Sequence, residues 1–89
     1  MVQAHIFYSG CVQGVGFRYT AQQFASDLEL SGWVKNLGDG RVEMIVQGGK
    51  EIIEQLCRDI ENHFERNNIQ RQIDFMPVSK SFLSFEIVY

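Results

Sequence analysis

Residues 10–18, GCVQGVGFR, join an apolar, strand-like run to a helical pattern in this 89-residue chain. Their glycines allow successive backbone N–H groups to turn toward one point. The first turn of the helix adds unpaired donors and the positive end of the helix dipole, and Arg18 adds a permanent charge. This order of parts predicts an anion site, and we expect the anion to be the phosphoryl group of a small molecule that the protein binds and cleaves.

On both sides of this turn, the residues follow strand and helix patterns. Gln3–Gly10 is predicted to be a strand, because aromatic and β-branched residues precede the loop. From Phe17 onward the apolar residues recur at helical spacing, at Phe17, Ala21, Phe24, Ala25 and Leu28. Gly32–Leu37 and Arg41–Gln47 are predicted to form a hairpin that turns at Gly38-Asp39-Gly40.

The second half of the chain continues the alternation and indicates the fold class. A second helical stripe consists of Ile52, Ile53, Leu56, Ile60 and Phe64. Residues 69–89 are rich in β-formers, are broken near Pro77, and contain a predicted strand at Phe82–Val88. The order predicts an α+β, ferredoxin-like βαββαβ sandwich with two helices packed on one face of an antiparallel sheet and an extra C-terminal strand. We expect residues 1–89 to form a single domain.

This topology should bring two polar residues together. A helical crossover joins the first two strands, so they run in the same direction with the third strand between them. Asn36 ends the second strand at the sheet edge where the glycine loop leaves the first strand. Val34 and Asn36 share one face of their strand. If Val34 faces the helices, Asn36 does so too, and we expect it to lie near Arg18.

Composition and charge narrow the classes of partner. The net charge of −3 and the pI near 5.2 argue against nucleic acid, because binding to a phosphate backbone needs clustered Lys and Arg. The sequence shows neither a membrane span nor a signal-peptide pattern, and we therefore expect a cytoplasmic protein. Cys11 and Cys57 are too few for a disulfide framework and are expected to be free thiols.

Two motifs, GCVQGVGFR and the later GWVKNLGDGRVE, make this sequence similar to the acylphosphatase family, whose pattern is G-x-V-Q-G-V-x-F-R and then G-W/Y-V-x-N before a DG hairpin. The resemblance extends from Gln3 to about Phe64. It implies hydrolysis of carboxyl-phosphate anhydrides to a carboxylate and inorganic phosphate, with Arg18 binding the phosphate and Asn36 orienting the attacking water. The implied phosphate-binding loop consists of Cys11, Val12, Gln13, Gly14, Val15, Gly16, Phe17 and Arg18.

The resemblance also implies that no metal, cofactor or covalent intermediate takes part. The expected partners are a small-molecule acyl phosphate and inorganic phosphate, without nucleic acid or membrane, and we expect a monomer. The sequence departs from the family pattern at two places. Members often carry Gly-Pro and small residues where this chain has residues 66–69, which predicts a different connection, away from the site. Leu37 stands where some members have a hydroxyl residue that supports the asparagine.

Other interpretations of the same residues stay open. The same fold serves as a non-catalytic, phosphate- or carbamoyl-phosphate-binding module in larger maturation proteins. An RNA-binding domain of this class would show exposed aromatic residues on its central strands, which RVEMIVQ lacks. Cys11 lies one residue too far from Arg18 for the spacing of cysteine-nucleophile phosphatases. His5 and His63 lack partners at metal-ligand spacing, and Asp39 is assigned to the hairpin turn.

Overall fold

The computed structural model describes residues 1–89 and contains two α-helices and five strands. In chain order the elements are β1 (Val2–Ser9), α1 (Phe17–Asp27), β2 (Ser31–Asn36), β3 (Val42–Gly48), α2 (Lys50–His63), β4 (Gln70–Met76) and β5 (Phe85–Val88), with a short 3₁₀ turn at Glu65–Asn67. The predicted start of α1 at Phe17 is confirmed, and the first three strands lie within one residue of their predicted bounds. Neither helix has the length and apolar character that crossing a membrane requires.

The five strands form one sheet in the order β4-β1-β3-β2-β5. β3 lies between β1 and β2 and is antiparallel to both, so the parallel direction predicted for β1 and β2 is confirmed. β4 adds to β1 in antiparallel fashion, whereas β5 adds to β2 in parallel. The predicted α+β sandwich is therefore present, and its extra C-terminal strand makes the sheet mixed.

The core lies between one face of this sheet and the two helices. Alternate residues of β1, namely Ala4, Ile6 and Tyr8, are fully buried there and pack in an 18-residue apolar cluster. Phe17 at the start of α1 stacks on Phe64 at the end of α2, with ring centroids 5.0 Å apart. The first turn of α1, where the sequence predicts the anion site, is thus fixed to the core by a buried aromatic pair.

The opposite face of the sheet is crossed by residues 77–84, which link the two edge strands. The buried side chain of Gln47 holds this segment, because its Oε1 accepts from the Phe82 N–H at 3.1 Å and its Nε2 donates to the Lys80 carbonyl. The strand predicted to begin at Phe82 begins at Phe85 instead. Trp33 lies on the same face of the sheet, paired with Ile45 of β3. Because this face points away from the helices, Trp33 is not part of the buried core cluster.

Candidate functional site

The loop between β1 and α1 and the last residue of β2 meet at one edge of the sheet, where they border a cleft of about 210 Å³. Arg18 and Asn36 both line this cleft, so the convergence expected from the strand order is confirmed. The walls are mostly apolar and glycine, and Arg18 is the only charged side chain among them. The lining residues are Val12, Gly14, Gly16, Phe17, Arg18, Tyr19, Asn36, Ile87 and Tyr89.

The loop needs glycine at Gly14 and Gly16, whose φ angles of 78° and 77° lie in the left-handed region. Gly16 is the N-cap of α1, and no side chain caps the helix there. The Thr20 N–H donates the first helical hydrogen bond, to the Gly16 carbonyl at 3.0 Å. A helix start without a capping side chain leaves its first amides available for an external acceptor.

Seven successive amides, those of residues 13–19, have no acceptor within the protein. They span the second half of the glycine loop and the first turn of α1. The two preceding amides are occupied, since Cys11 N–H donates to the Asn67 carbonyl at 3.3 Å and Val12 N–H donates to the Gly10 carbonyl at 2.9 Å. Of the phosphate-binding loop predicted over residues 11–18, the available donors therefore begin at Gln13.

Arg18 is half-buried beside these amides and has no acidic partner. None of the three ion pairs in the structure includes it. Its guanidinium carbon lies 4.9 Å from the centre of the Tyr89 ring, which is close enough for a cation–π contact. Such a contact orients the guanidinium but leaves its charge available to an anion. The apolar C-terminal strand offered no signal in the sequence that Tyr89 would reach this site.

Asn36 projects into the same cleft from the end of β2, where it pairs with Val42. Its side-chain Oδ1 is buried and has no hydrogen-bond partner. An unpaired buried acceptor costs about 1–3 kcal/mol, so a protein retains one where a ligand or water supplies the missing donor. The next residue, Leu37, has no hydroxyl that could donate to it.

Two side-chain contacts that sequence reasoning missed hold the loop in place. Gln13 Nε2 donates to the carbonyls of Leu37 and Arg41, at 2.8 and 3.0 Å. Asn67 Nδ2 donates to the Cys11 carbonyl at 3.1 Å, while the Asn67 carbonyl accepts from the Cys11 N–H. The connection at residues 66–69 lines none of the cleft, in line with the expectation that it lies away from the site, but through Asn67 it anchors the start of the loop.

The other residues that the sequence analysis considered for a chemical role, two cysteines, a histidine and Asp39, lie outside the cleft. Cys11 and Cys57 are free, as predicted, with Cys11 exposed and Cys57 buried. His5 Nε2 lies 2.7 Å from a carboxylate oxygen of Glu43 on the face away from the cleft. Hydrogen bonds from the backbone N–H and then the guanidinium of Arg41 lower the pKa of Asp39, which makes it a weaker base. No group of three or more His, Cys, Asp or Glu side chains is arranged to hold a metal ion.

One acidic residue of α2 has a structural role. Glu61 accepts a hydrogen bond of 2.8 Å from the hydroxyl of Tyr8, which is fully buried. Arg71 lies 3.3 Å from the same carboxylate. Burial, followed by the nearby Cys57 and Glu61, raises the pKa of Tyr8 well above its ordinary value of 10.0, so the hydroxyl stays protonated and donates.

Comparison with known proteins places residues 4–87 within the family model described as Acylphosphatase. The chain is similar to an acylphosphatase of Trichormus variabilis, with 50% identity over 58 residues; these cover 65% of this chain and 57% of that one. The chain thus spans little more than half of that relative.

Solved structures also resemble the whole chain. The acylphosphatase of Bacillus subtilis has a TM-score of 0.91 and 35% identity over 100% of both chains. Full-length HypF, in a phosphate- and nucleotide-bound form, has a TM-score of 0.81 and 31% identity over 100% of this chain but 12% of its own.

Proposed function

Because this chain belongs to the acylphosphatase family, we propose that it hydrolyses the carboxyl-phosphate bond of acyl phosphates to a carboxylate and inorganic phosphate. The observation that carries this proposal is the composition of the cleft. Unpaired amides of residues 13–19, the unneutralised Arg18 guanidinium and the unpartnered Asn36 Oδ1 all meet at one sheet edge. Donors and a cation suit a phosphoryl dianion, and a lone buried acceptor suits a water molecule.

The chemistry of an acyl phosphate fits a cleft without an acid or base. The leaving carboxylate has a pKa of about 4.3, as an ordinary carboxyl has, and leaves as an anion at neutral pH without protonation. Phosphoryl transfer through a loose transition state needs the attacking water to be positioned more than deprotonated. The amides and Arg18 then stabilise charge on the equatorial oxygens in a site that is organised before the substrate binds.

Asn36 completes this arrangement as the residue that positions the water. Its Oδ1 accepts a hydrogen from the water, which turns an oxygen lone pair toward phosphorus. Since the amide group is fixed at the end of a paired strand, the water is held in line with the bond that breaks. We propose Arg18 and Asn36 as the catalytic residues and the amides of residues 13–19 as the phosphate cradle.

A second candidate function is a phosphate-binding module without turnover. It is favoured by one observation: the whole chain matches 12% of HypF, a much longer protein. A binding module and a hydrolase of this fold would both hold phosphate in the loop. Turnover of an acyl phosphate separates them, because only the hydrolase also needs the water that Asn36 holds.

The test is the initial rate on benzoyl phosphate for wild type and Arg18→Ala. We expect turnover to fall by about 10³-fold and inhibition by inorganic phosphate to disappear, since an arginine on a transferring phosphoryl group contributes on this scale. Arg58→Ala, which changes an exposed arginine of α2 outside the cleft, is the matched control and should keep its rate. Normal turnover in Arg18→Ala at unchanged helix content would refute the assignment. Wild type that binds phosphate without turnover would favour the module.

The other expectations stay predictions. They are a cytoplasmic location, a monomeric state and a metal-independent reaction, and the last two have simple measurements. Sedimentation at micromolar concentration tests the monomer. Assay in EDTA tests metal independence, and loss of turnover that added metal restores would overturn it.

A further inference from the structure

We infer that the side chain of Gln13 is a positioning residue that aligns the phosphate cradle with the water held by Asn36. This inference rests on the proposed function. Gln13 lies in the glycine loop, and its side-chain Nε2 donates to the Leu37 carbonyl at 2.8 Å and the Arg41 carbonyl at 3.0 Å. One amide group thus ties the loop that follows β1 to the turn that follows β2.

The two acceptors belong to a turn with a defined shape. Leu37 N–H donates to the Arg41 carbonyl at 2.8 Å, and Gly40 N–H donates to the Leu37 carbonyl at 3.3 Å. Asp39 Oδ1 accepts from the Arg41 N–H at 3.0 Å. A turn that is closed by its own hydrogen bonds presents its carbonyls at fixed positions, so Gln13 binds to a rigid partner.

Asn36 directly precedes this turn and pairs with Val42 directly after it. The residue that holds the water therefore sits at the base of the turn that Gln13 grips. The loop itself has little packing to hold it there, because Gly14, Val15 and Gly16 are all exposed. The Gln13 side chain makes the only two direct side-chain hydrogen bonds between the glycine loop and the β2–β3 turn.

The chemistry of glutamine suits this connection. Its side-chain amide carries two N–H donors, which match two carbonyl acceptors without adding charge. Glutamate at this position would place a carboxylate against two carbonyl oxygens, and alanine would leave each carbonyl with its backbone donor alone. Loss of the connection should leave the amides of residues 13–19 and Arg18 able to bind phosphate, while the water loses its alignment with phosphorus. A misplacement of about 1 Å costs on the order of 10²-fold in rate.

The experiment measures kcat on benzoyl phosphate and the inhibition constant of inorganic phosphate for Gln13→Ala and Gln13→Glu. We expect kcat of Gln13→Ala to fall by about 10- to 100-fold, with the inhibition constant changed by less than about threefold. Gln23→Ala is the matched control, because Gln23 is exposed on α1 and does not line the cleft. An inhibition constant that rises as steeply as kcat falls would overturn the inference, since Gln13 would then only shape the phosphate cradle.

A double-mutant cycle with Asn36→Ala measures the coupling between the two residues in kcat, which would be absent if Gln13 only stabilised the fold. If Gln13 acts through the water on Asn36, adding Gln13→Ala to Asn36→Ala should lower kcat no further. Two losses that multiply would overturn the inference.

If wild type shows no turnover, the proposed function fails. The alignment of the phosphate cradle with Asn36 can then be measured by NMR. Inorganic phosphate should shift the Asn36 side-chain amide in wild type and not in Gln13→Ala. Equal shifts in both proteins would overturn the inference.

Discussion

Replacing Asn36 by alanine should make the protein more stable and less active. The substitution removes a buried carbonyl oxygen that has no partner within the protein, whose desolvation costs about 1–3 kcal/mol in the folded state when neither substrate nor water is bound to it. Asparagine and alanine are both poor strand formers, so the change in strand propensity is small. After allowance for lost side-chain contacts in the half-buried position, we expect a net gain of about 1 kcal/mol. For a chain of this length that raises Tm by about 4–8 °C.

The same variant should lose about 10²-fold in kcat, because the attacking water loses its acceptor and its alignment. Inhibition by inorganic phosphate should persist, since Arg18 and the loop amides are unchanged. Thermal unfolding followed by circular dichroism and initial rates on benzoyl phosphate measure the two effects. Asn62→Ala, on the exposed face of α2, is the control and should shift stability by less than about 0.5 kcal/mol without changing the rate. A lower Tm, an unchanged kcat or a loss of phosphate binding as steep as the loss of rate would refute this reasoning.

Three further predictions test other contacts. The raised pKa of Tyr8 keeps its hydroxyl neutral in the folded state. The contribution of this hydroxyl to the free energy of unfolding is therefore fully present below pH 10.0, the ordinary pKa of tyrosine, and falls by about 1.4 kcal/mol per pH unit above it. Tyr8→Phe should therefore be less stable than wild type by about 1 kcal/mol at neutral pH, with the gap closing above pH ~10 in urea titrations; a constant gap would contradict the pKa argument. Gly10→Ala should destabilise by more than about 1 kcal/mol, because φ is 101° and a Cβ would collide with the Asn68 carbonyl, whereas Gly38→Ala, in open space, should cost little; equal effects would disprove the close approach. Cys11→Ser should retain turnover, and full inactivation would revive a cysteine nucleophile.

Local patterns were sufficient to predict most of the elements. The helical spacing from Phe17 and the alternation on either side of residues 38–40 depend on neighbours within a few residues, so they are visible in the sequence. The strand at Phe82–Val88 was predicted too long because residues 80–82 satisfy their backbone through Gln47, which lies 33 to 35 positions away. No local pattern encodes that contact.

The sequence by itself determined the chemistry available to the site. It specified a glycine loop that opens a helix, an arginine in the first turn, and an asparagine at the end of a strand that a helical crossover must set beside the first. Each follows from periodicity and chain direction, which neighbouring residues establish.

Only the tertiary structure decided which of these groups are free and what holds them in register. Asn67 reaches Cys11 across 56 positions and Gln13 reaches the turn across 24, so hydrogen bonds to distant groups hold the loop in place in addition to its own glycines. The unpartnered Oδ1 of Asn36 likewise results from packing around it, because a side chain's burial and the absence of a donor depend on every element that surrounds it.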